Sequence, residues 1–279
     1  KTRRFWEPKD TKMPRHRGTF DKHRPEPYEI SRGKVESFIK CPGCFWLDRA
    51  KGVHFPSMPG FNLNSNTDTL LKRDFDQYRG KEPHPIMIAH GLSHLIPFEH
   101  EDLQKWESSL HFGLSPQHFN TIHSETNLCF GGGLDDVWQN QETGELHIVD
   151  YKSTAQLGKE PRQLNESFLN DKWKAAYKRQ MEMYQWIMRK KGFDVSSKGY
   201  FLYVDGQHIN KAGMIDKDQP SKAYMEFNTS IIPYDGIDDW VEDALFNIKE
   251  LLLNENPPEH AEDCEYARFL SETQSALKN

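Results

Sequence analysis

Several things are scarce in this chain. Four cysteines in 279 residues are too few for a disulfide scaffold of the secreted kind. No apolar run approaches the ~20 residues that span a bilayer, and no charged segment leads into an apolar one as in a secretory signal. The expectation is a soluble, cytoplasmic protein with no membrane contact. A basic excess is also missing: 36 Lys and Arg stand against 42 Asp and Glu, a net charge of −6, which excludes a wholly basic nucleic-acid-coating protein. No internal repeat or low-complexity tract is present. The chain begins at Lys1 rather than Met, which points to a trimmed or missing N-terminal stretch.

What is present suits a folded domain. Hydrophobic residues reach only 36%, but 12% are aromatic, with 17 Phe, 10 Tyr and 7 Trp to supply buried area. Charge is uneven: residues 1–24 hold nine basic and three acidic side chains. Residues 1–27 add four prolines and show no periodicity, so they read as a flexible basic arm, either a solvated tail or a phosphate contact. Residues 28–279 read as one domain.

Hydrophobic period divides that domain. Ser31 caps a short helix ending near Cys41-Pro42, and Leu70, Leu71 and Phe75 form the stripe of a second over 63–79. Residues 81–117 read as irregular, with a helical stretch near 101–110. From 118 the period becomes that of strands: FNTIHSE, LCFGGGLDDVW and LHIVDYK, with a turn at QETGE, form an antiparallel meander. A long helix over 169–192 follows, in which Met181 and Met188 read as core and Trp173, Trp186 and Ile187 as anchors. Strands at 198–206 and 222–233 and a helix at 238–254 complete the pattern.

The chemistry concentrates around the turn. In Ile148-Val149-Asp150-Tyr151-Lys152-Ser153, alternation puts Asp150 and Lys152 on one face and Tyr151 on the other. The preceding strand brings Asp135 to the same end, while alternation sends Asp136 to the opposite face unless the glycines bulge. Two carboxylates suit a hard divalent cation, and a neighbouring lysine suits polarising water, a set fit for phosphodiester hydrolysis. Taken singly, an acid and a lysine on a strand make only a solvated ion pair. Gln180 and Tyr184, at i and i+4, share one helical face, with Lys178 and Arg179 beside them to offer phosphates positive charge.

In sequence order these elements resemble the RecB-like branch of the PD-(D/E)XK nuclease superfamily. That branch carries a glycine, an apolar residue and Asp, then a hydrophobic strand ending Asp-Tyr-Lys-Thr/Ser, then Gln-x-x-x-Tyr. Gly132, Leu134, Asp135, Ile148, Val149, Asp150, Tyr151, Lys152, Ser153, Gln180 and Tyr184 stand at those places. The resemblance, from about Ser31 to Arg268, implies a restriction-endonuclease-like α/β core with a central mixed sheet flanked by helices. It implies a site for Mg²⁺ or Mn²⁺ with Asp135 and Asp150 as ligands, the Tyr151 carbonyl as another, and Lys152 beside the attacking water. The family's first acid or histidine, on an N-terminal helix, falls on Asp68. Gln180, Tyr184, Lys178 and Arg179 are then placed toward nucleic acid.

Several RecB-like nucleases join one N-terminal and three C-terminal cysteines around an iron–sulfur cluster. Here Cys264 is followed by Ala267 where a further cysteine would stand. Three states stay open for Cys41, Cys44 and Cys264: a zinc site completed by His260, an iron–sulfur cluster, or free packed thiols. Cys129 reads as core.

The expected function is a divalent-metal-dependent deoxyribonuclease acting in DNA repair, recombination or phage- or CRISPR-type processing. Two alternatives stand beside it: a catalytically silent nucleic-acid-binding module, and an accessory subunit docking a helicase or recombination partner.

Overall fold

The computed structural model describes residues 15–55, 60–108, 113–160, 162 and 164–278. Its centre is a five-stranded mixed sheet in the order β2-β5-β6-β7-β8, formed by β2 (Leu95–Pro97), β5 (Asp136–Asn140), β6 (Leu146–Ala155), β7 (Lys198–Gly206) and β8 (Phe227–Asp235). A second sheet holds β4 (Leu128–Gly131) between β1 (Tyr28–Ser31), which is parallel to it, and β3 (Asn120–His123), which is antiparallel. Strands β6 and β7 run parallel, so the chain must return between them through a crossover; α6 (Ala175–Lys190) provides it.

Alternation along the central strands feeds two cores. Ile148, Phe201, Tyr203 and Ile232 pack with α6 residues Met181, Met183, Ile187 and Met188, with Val35 of α1 (Arg32–Lys40), and with Val241, Leu245 and Ile248 of α7 (Trp240–Leu253). From the other face Val149, Tyr151, Tyr200 and Leu202 pack against Phe75 of α3 (Asn62–Asp76) and Met87 of α4 (Pro85–Ala89). With both faces covered, β6 is buried from Leu146 to Tyr151, the polar His147 and Asp150 included. The expected α/β class and mixed sheet flanked by helices are what the structure has.

Several expectations change. The meander is two pieces in two sheets. After Gly131 the backbone leaves the ladder: Gly132 N–H donates to the Phe119 carbonyl and Leu134 N–H to the Trp106 carbonyl, so LCFGGGLDDVW breaks into β4 and β5. The arm expected over 1–27 lies outside the described residues up to residue 14. From residue 15 it is part of the domain: His16 is buried against the Phe20 and Tyr28 rings, Phe20 N–H donates to the Arg49 carbonyl, and Arg15 pairs with Glu29. A second helix, α2 (Pro42–Ala50), begins where the first was expected to end the segment, with Pro42 in its first turn. The stretch over 81–117 contains α4, β2 and α5 (Leu103–Glu107), with 109–112 outside the described residues. The expected long helix starts only at Ala175, after two short 3-10 turns, which leaves Trp173 exposed. Leu70 is exposed too. An unexpected C-terminal helix, α8 (Glu265–Lys278), ends the fold.

Candidate functional site

The C-terminal half of β6 carries the acid and the lysine to the point where α3, α6 and the turn before β5 converge. Asp150 is fully buried. Its Oδ1 accepts a 2.7 Å hydrogen bond from Gln180 Nε2 on α6, and its Oδ2 meets the Lys152 ammonium in an ion pair. Asp135 lies in the bend before β5, its Oδ2 accepting the Tyr151 backbone N–H at 2.9 Å. The Tyr151 carbonyl stands 3.4 Å from Lys152 Nζ. From α3, Asp68 pairs with Lys72 at 3.3 Å, and it feels the charge of Asp135. Thr67 and Ser153 join hydroxyls across the α3–β6 contact, which pins the helix to the strand.

Crowding of carboxylates shapes their ionisation. Burial first, and then Asp135, push Asp150 up to about 7, although Lys152 opposes them. Burial and Asp135 also raise Asp68. Such a cluster of acids carries more negative charge than its lysines offset comfortably in a buried place. The Asp150 Oδ2 atom makes no directed hydrogen bond. Two carboxylates, a backbone carbonyl and a nearby third acid form the all-oxygen donor set of a hard divalent cation, so these residues fit Mg²⁺ or Mn²⁺.

The two adjacent aspartates have separate fates. Asp136 points to the other face of the sheet, where its carboxylate accepts from Arg79 Nη1 (2.9 Å), the Tyr151 hydroxyl (2.7 Å) and Trp138 Nε1 (3.2 Å). It is a structural anchor behind the site, and the glycines do not reverse the alternation.

Gln180 and Tyr184 do share a face of α6, but both are buried. Gln180 holds Asp150. Tyr184 lies against Gly132: a Cβ on that glycine would come within 2.8 Å of the phenol oxygen, so only glycine lets ring and backbone approach. The basic pair beside them is not brought to the cluster. Arg179 is bound in a two-point ion pair to Glu36, and Lys178 sits over the Tyr234 ring. Neighbouring side chains on a helix point about 100° apart, which separates 178 and 179 from 180 and 184.

Two residues of the cluster escaped the sequence reading. Lys72 is largely enclosed; burial works against its charge, but Asp135, Asp68 and Glu107 outweigh it and raise its pKa. Glu107, at the end of α5, is pushed up to about 7 by burial, with Lys72 opposing. The i,i+4 spacing of Asp68 and Lys72 was a usable signal; Glu107 had none, because only the tertiary fold brings α5 to α3.

A second cluster forms where the chain's two ends meet. Cys41, Cys44, His260 and Cys264 each offer a ligand atom, all within 4.8 Å of one another. Cys44 Sγ lies 3.4 Å from Cys264 Sγ, and His260 Nδ1 lies 3.3, 3.5 and 3.9 Å from the sulfurs of Cys41, Cys44 and Cys264. Ligands at tetrahedral zinc stand about 3.5–3.8 Å apart, given Zn–S near 2.3 Å and Zn–N near 2.0 Å. Cys44 and Ala261 donate backbone N–H groups to Cys41 Sγ, at 3.5 and 3.4 Å, as a thiolate requires. At Gly43 a Cβ would lie 2.9 Å from His260 Nδ1, so the Cys-Pro-Gly-Cys knuckle needs its glycine. The residues fit a soft-ligand tetrahedral metal, and Cys129 is buried apart from them.

Among the described residues no helix is long and apolar enough to cross a membrane. No curated protein matches the chain. The family model of the PD-(D/E)XK nuclease superfamily matches residues 65–269, a span that takes in Asp68, Asp135, Asp150, Lys152 and the C-terminal pair His260 and Cys264. With a mixed sheet whose central strand carries Asp150 and Lys152 to a cluster of acids, the chain belongs to the PD-(D/E)XK nuclease superfamily.

Proposed function

We propose that this chain is a divalent-metal-dependent deoxyribonuclease of the RecB-like branch. The observation that carries the reading is the meeting of Asp135, Asp150, the Tyr151 carbonyl and Lys152 at one end of β6, with Asp68 facing them from α3. Asp135 and Asp150 would hold Mg²⁺ or Mn²⁺, with Asp68 as an inner or outer acid. A bound cation supplies positive charge against the pentacovalent transition state and makes water more acidic. The protein's own part is positional. Gln180 fixes Asp150, Lys72 restrains Asp68, and the Lys152 ammonium orients the attacking water and steadies the developing charge on the phosphoryl oxygens.

Intact acids and lysine weigh against a silent binding module, and repair, recombination or phage- or CRISPR-type processing is the setting this chemistry suits. Docking to a helicase or recombination partner is compatible with the same active centre. Digestion of plasmid and labelled oligonucleotides with Mg²⁺, Mn²⁺ or EDTA tests the reading: cleavage is expected with either metal and none with EDTA. Cleavage that persists in EDTA, or none with any metal, rejects it.

The cysteine–histidine cluster is, in the same reading, a structural zinc site, since three thiolates and one imidazole suit Zn²⁺ better than a four-thiolate iron–sulfur cluster. Elemental analysis should find about one zinc per chain; iron with visible absorption would favour the cluster, and no metal would leave packed thiols.

A further inference from the structure

The 3-10 turn that leads into α6 carries a combination that the active centre does not use. Trp173 is 74% exposed, while Trp46, Trp106, Trp138 and Trp186 are buried and Trp240 is half-buried; it is the one exposed tryptophan among the described residues. A lone exposed aromatic needs no explanation, but this one stands on a hydrogen-bonded turn of the backbone. Its backbone N–H donates to the Asp171 carboxylate at 3.0 Å, and the next N–H, of Lys174, donates to the Asp171 carbonyl at 2.8 Å. Lys172 lies over the indole, 4.9 Å from a ring centroid.

Lys174 beside it is a cation with no carboxylate in ion-pair range among the described residues. Its ammonium rests on a wall of rings, 4.4 Å from the Phe168 centroid, 5.1 Å from Tyr177 and 5.9 Å from Tyr203. Lys152 sits 4.8 Å from the same Tyr177 ring, so the two ammoniums are at most about 10 Å apart. Arg162 shares the Phe168 ring from 5.3 Å, though Asp205 pairs with it at 3.0 Å. Burial, and repulsion from Arg162 and Lys152, lower the Lys174 pKa even with Asp171 near. Lys152 and Arg162 are already paired, with Asp150 and Asp205, so Lys174 is the cation of this group that lacks a carboxylate in ion-pair range among the described residues and can take an anion.

We propose that the Trp173–Lys174 turn seats an unpaired nucleotide next to the scissile bond, the indole stacking its base and Lys174 taking a phosphate. This rests on the nuclease reading and adds a substrate class to it: a single-stranded segment or frayed end. A base in a paired duplex is already stacked on its neighbours and offers no free face to a protruding indole, whereas every unpaired base does.

The test is fluorescence anisotropy with a labelled single-stranded oligonucleotide and the matching blunt duplex, in EDTA so that no cleavage intervenes. Trp173→Ala should weaken single-strand binding at least about fivefold, with duplex binding within twofold and Trp173→Phe close to the parent. Lys174→Ala should weaken binding and flatten the salt dependence by about one unit of slope. Equal single-strand affinity of parent and Trp173→Ala, equal losses on both substrates, or no binding by the parent overturns the proposal. Cleavage by the parent in Mg²⁺ with unchanged Trp173→Ala binding rejects this proposal alone. Trp173-dependent binding without cleavage in any metal rejects the nuclease reading and leaves the platform standing.

Discussion

At the scale of single residues, ionisation sets a testable pH dependence. Asp150 is raised to about 7, and Asp68 is raised as well. Below about pH 7 the Asp150 carboxyl holds a proton that a cation must displace, so apparent Mn²⁺ affinity should fall roughly five- to tenfold on going from pH 7 to 6. Folding raises Asp150 above its unfolded value near 4, so the metal-free fold binds an extra proton there between about pH 4 and 7, and Asp68, raised in the same direction, adds to the effect. The stability of the metal-free fold therefore falls as pH rises through that window, and added Mn²⁺ should restore it most above pH 7. Mn²⁺ titrations and melts at several pH values check this; pH-independent affinity would contradict it. Asp136 gives a different forecast. Asp136→Ala leaves the Tyr151 hydroxyl and Trp138 Nε1 without their acceptor and Arg79 with only Asp76 and the Phe98 carbonyl, and should cost about 2–5 kcal/mol in denaturant melts. Loss of activity in that variant then reports lost fold, so Asp136→Asn is the cleaner probe of chemistry.

At the scale of elements, what could be read from sequence follows from how local each signal was. The alternation of β6 and the helical stripe of α6 are periodic and strong, and they place Asp150, Lys152 and Gln180 correctly relative to one another. The break at Gly132 depends instead on long-range partners, Phe119 and Trp106 for the backbone and Tyr184 for the close approach, so no pattern in the sequence announces that β4 and β5 belong to separate sheets. Helix α2 hides because Pro42 reads as a stop when it is in fact a first-turn residue. Helix α8 carries an apolar stripe at helical spacing, Tyr266, Phe269, Leu270 and Leu277, so it was legible in the sequence even though the fold buries none of its residues. Lys178 and Arg179 precede Gln180 in sequence but, turned about 100° per residue, lie away from it, Arg179 held by Glu36 and Lys178 over the Tyr234 ring. Gly132→Ala tests the close approach: overpacking against Tyr184 should cost about 1–3 kcal/mol and lower turnover by moving Asp135. At Gly60, where a Cβ meets nothing within 4 Å, the same change should be near neutral.

At the scale of the whole molecule, two clusters divide the work: one gathers oxygen donors at the sheet, and the other joins Cys41 and Cys44 to His260 and Cys264, with His260 216 positions after Cys44. Closing so long a loop contributes about 5 kcal/mol or slightly more by chain entropy, so a strong chelator, or Cys264→Ser, should lower Tm by roughly 10 °C; an unchanged melt would leave the cluster without a clamping role. The claim on which the rest depends is that the acid–lysine cluster of β6 performs the hydrolysis. It is tested most directly by Mg²⁺-dependent cleavage rates of the parent, Asp150→Ala and Lys152→Ala on one labelled oligonucleotide, with affinity for it measured alongside. Cleavage is expected to fall at least about 100-fold in both variants while affinity stays within several-fold, because phosphate contacts elsewhere carry most of the binding. Variants that cleave within tenfold of the parent would show that the hydrolytic centre lies somewhere else.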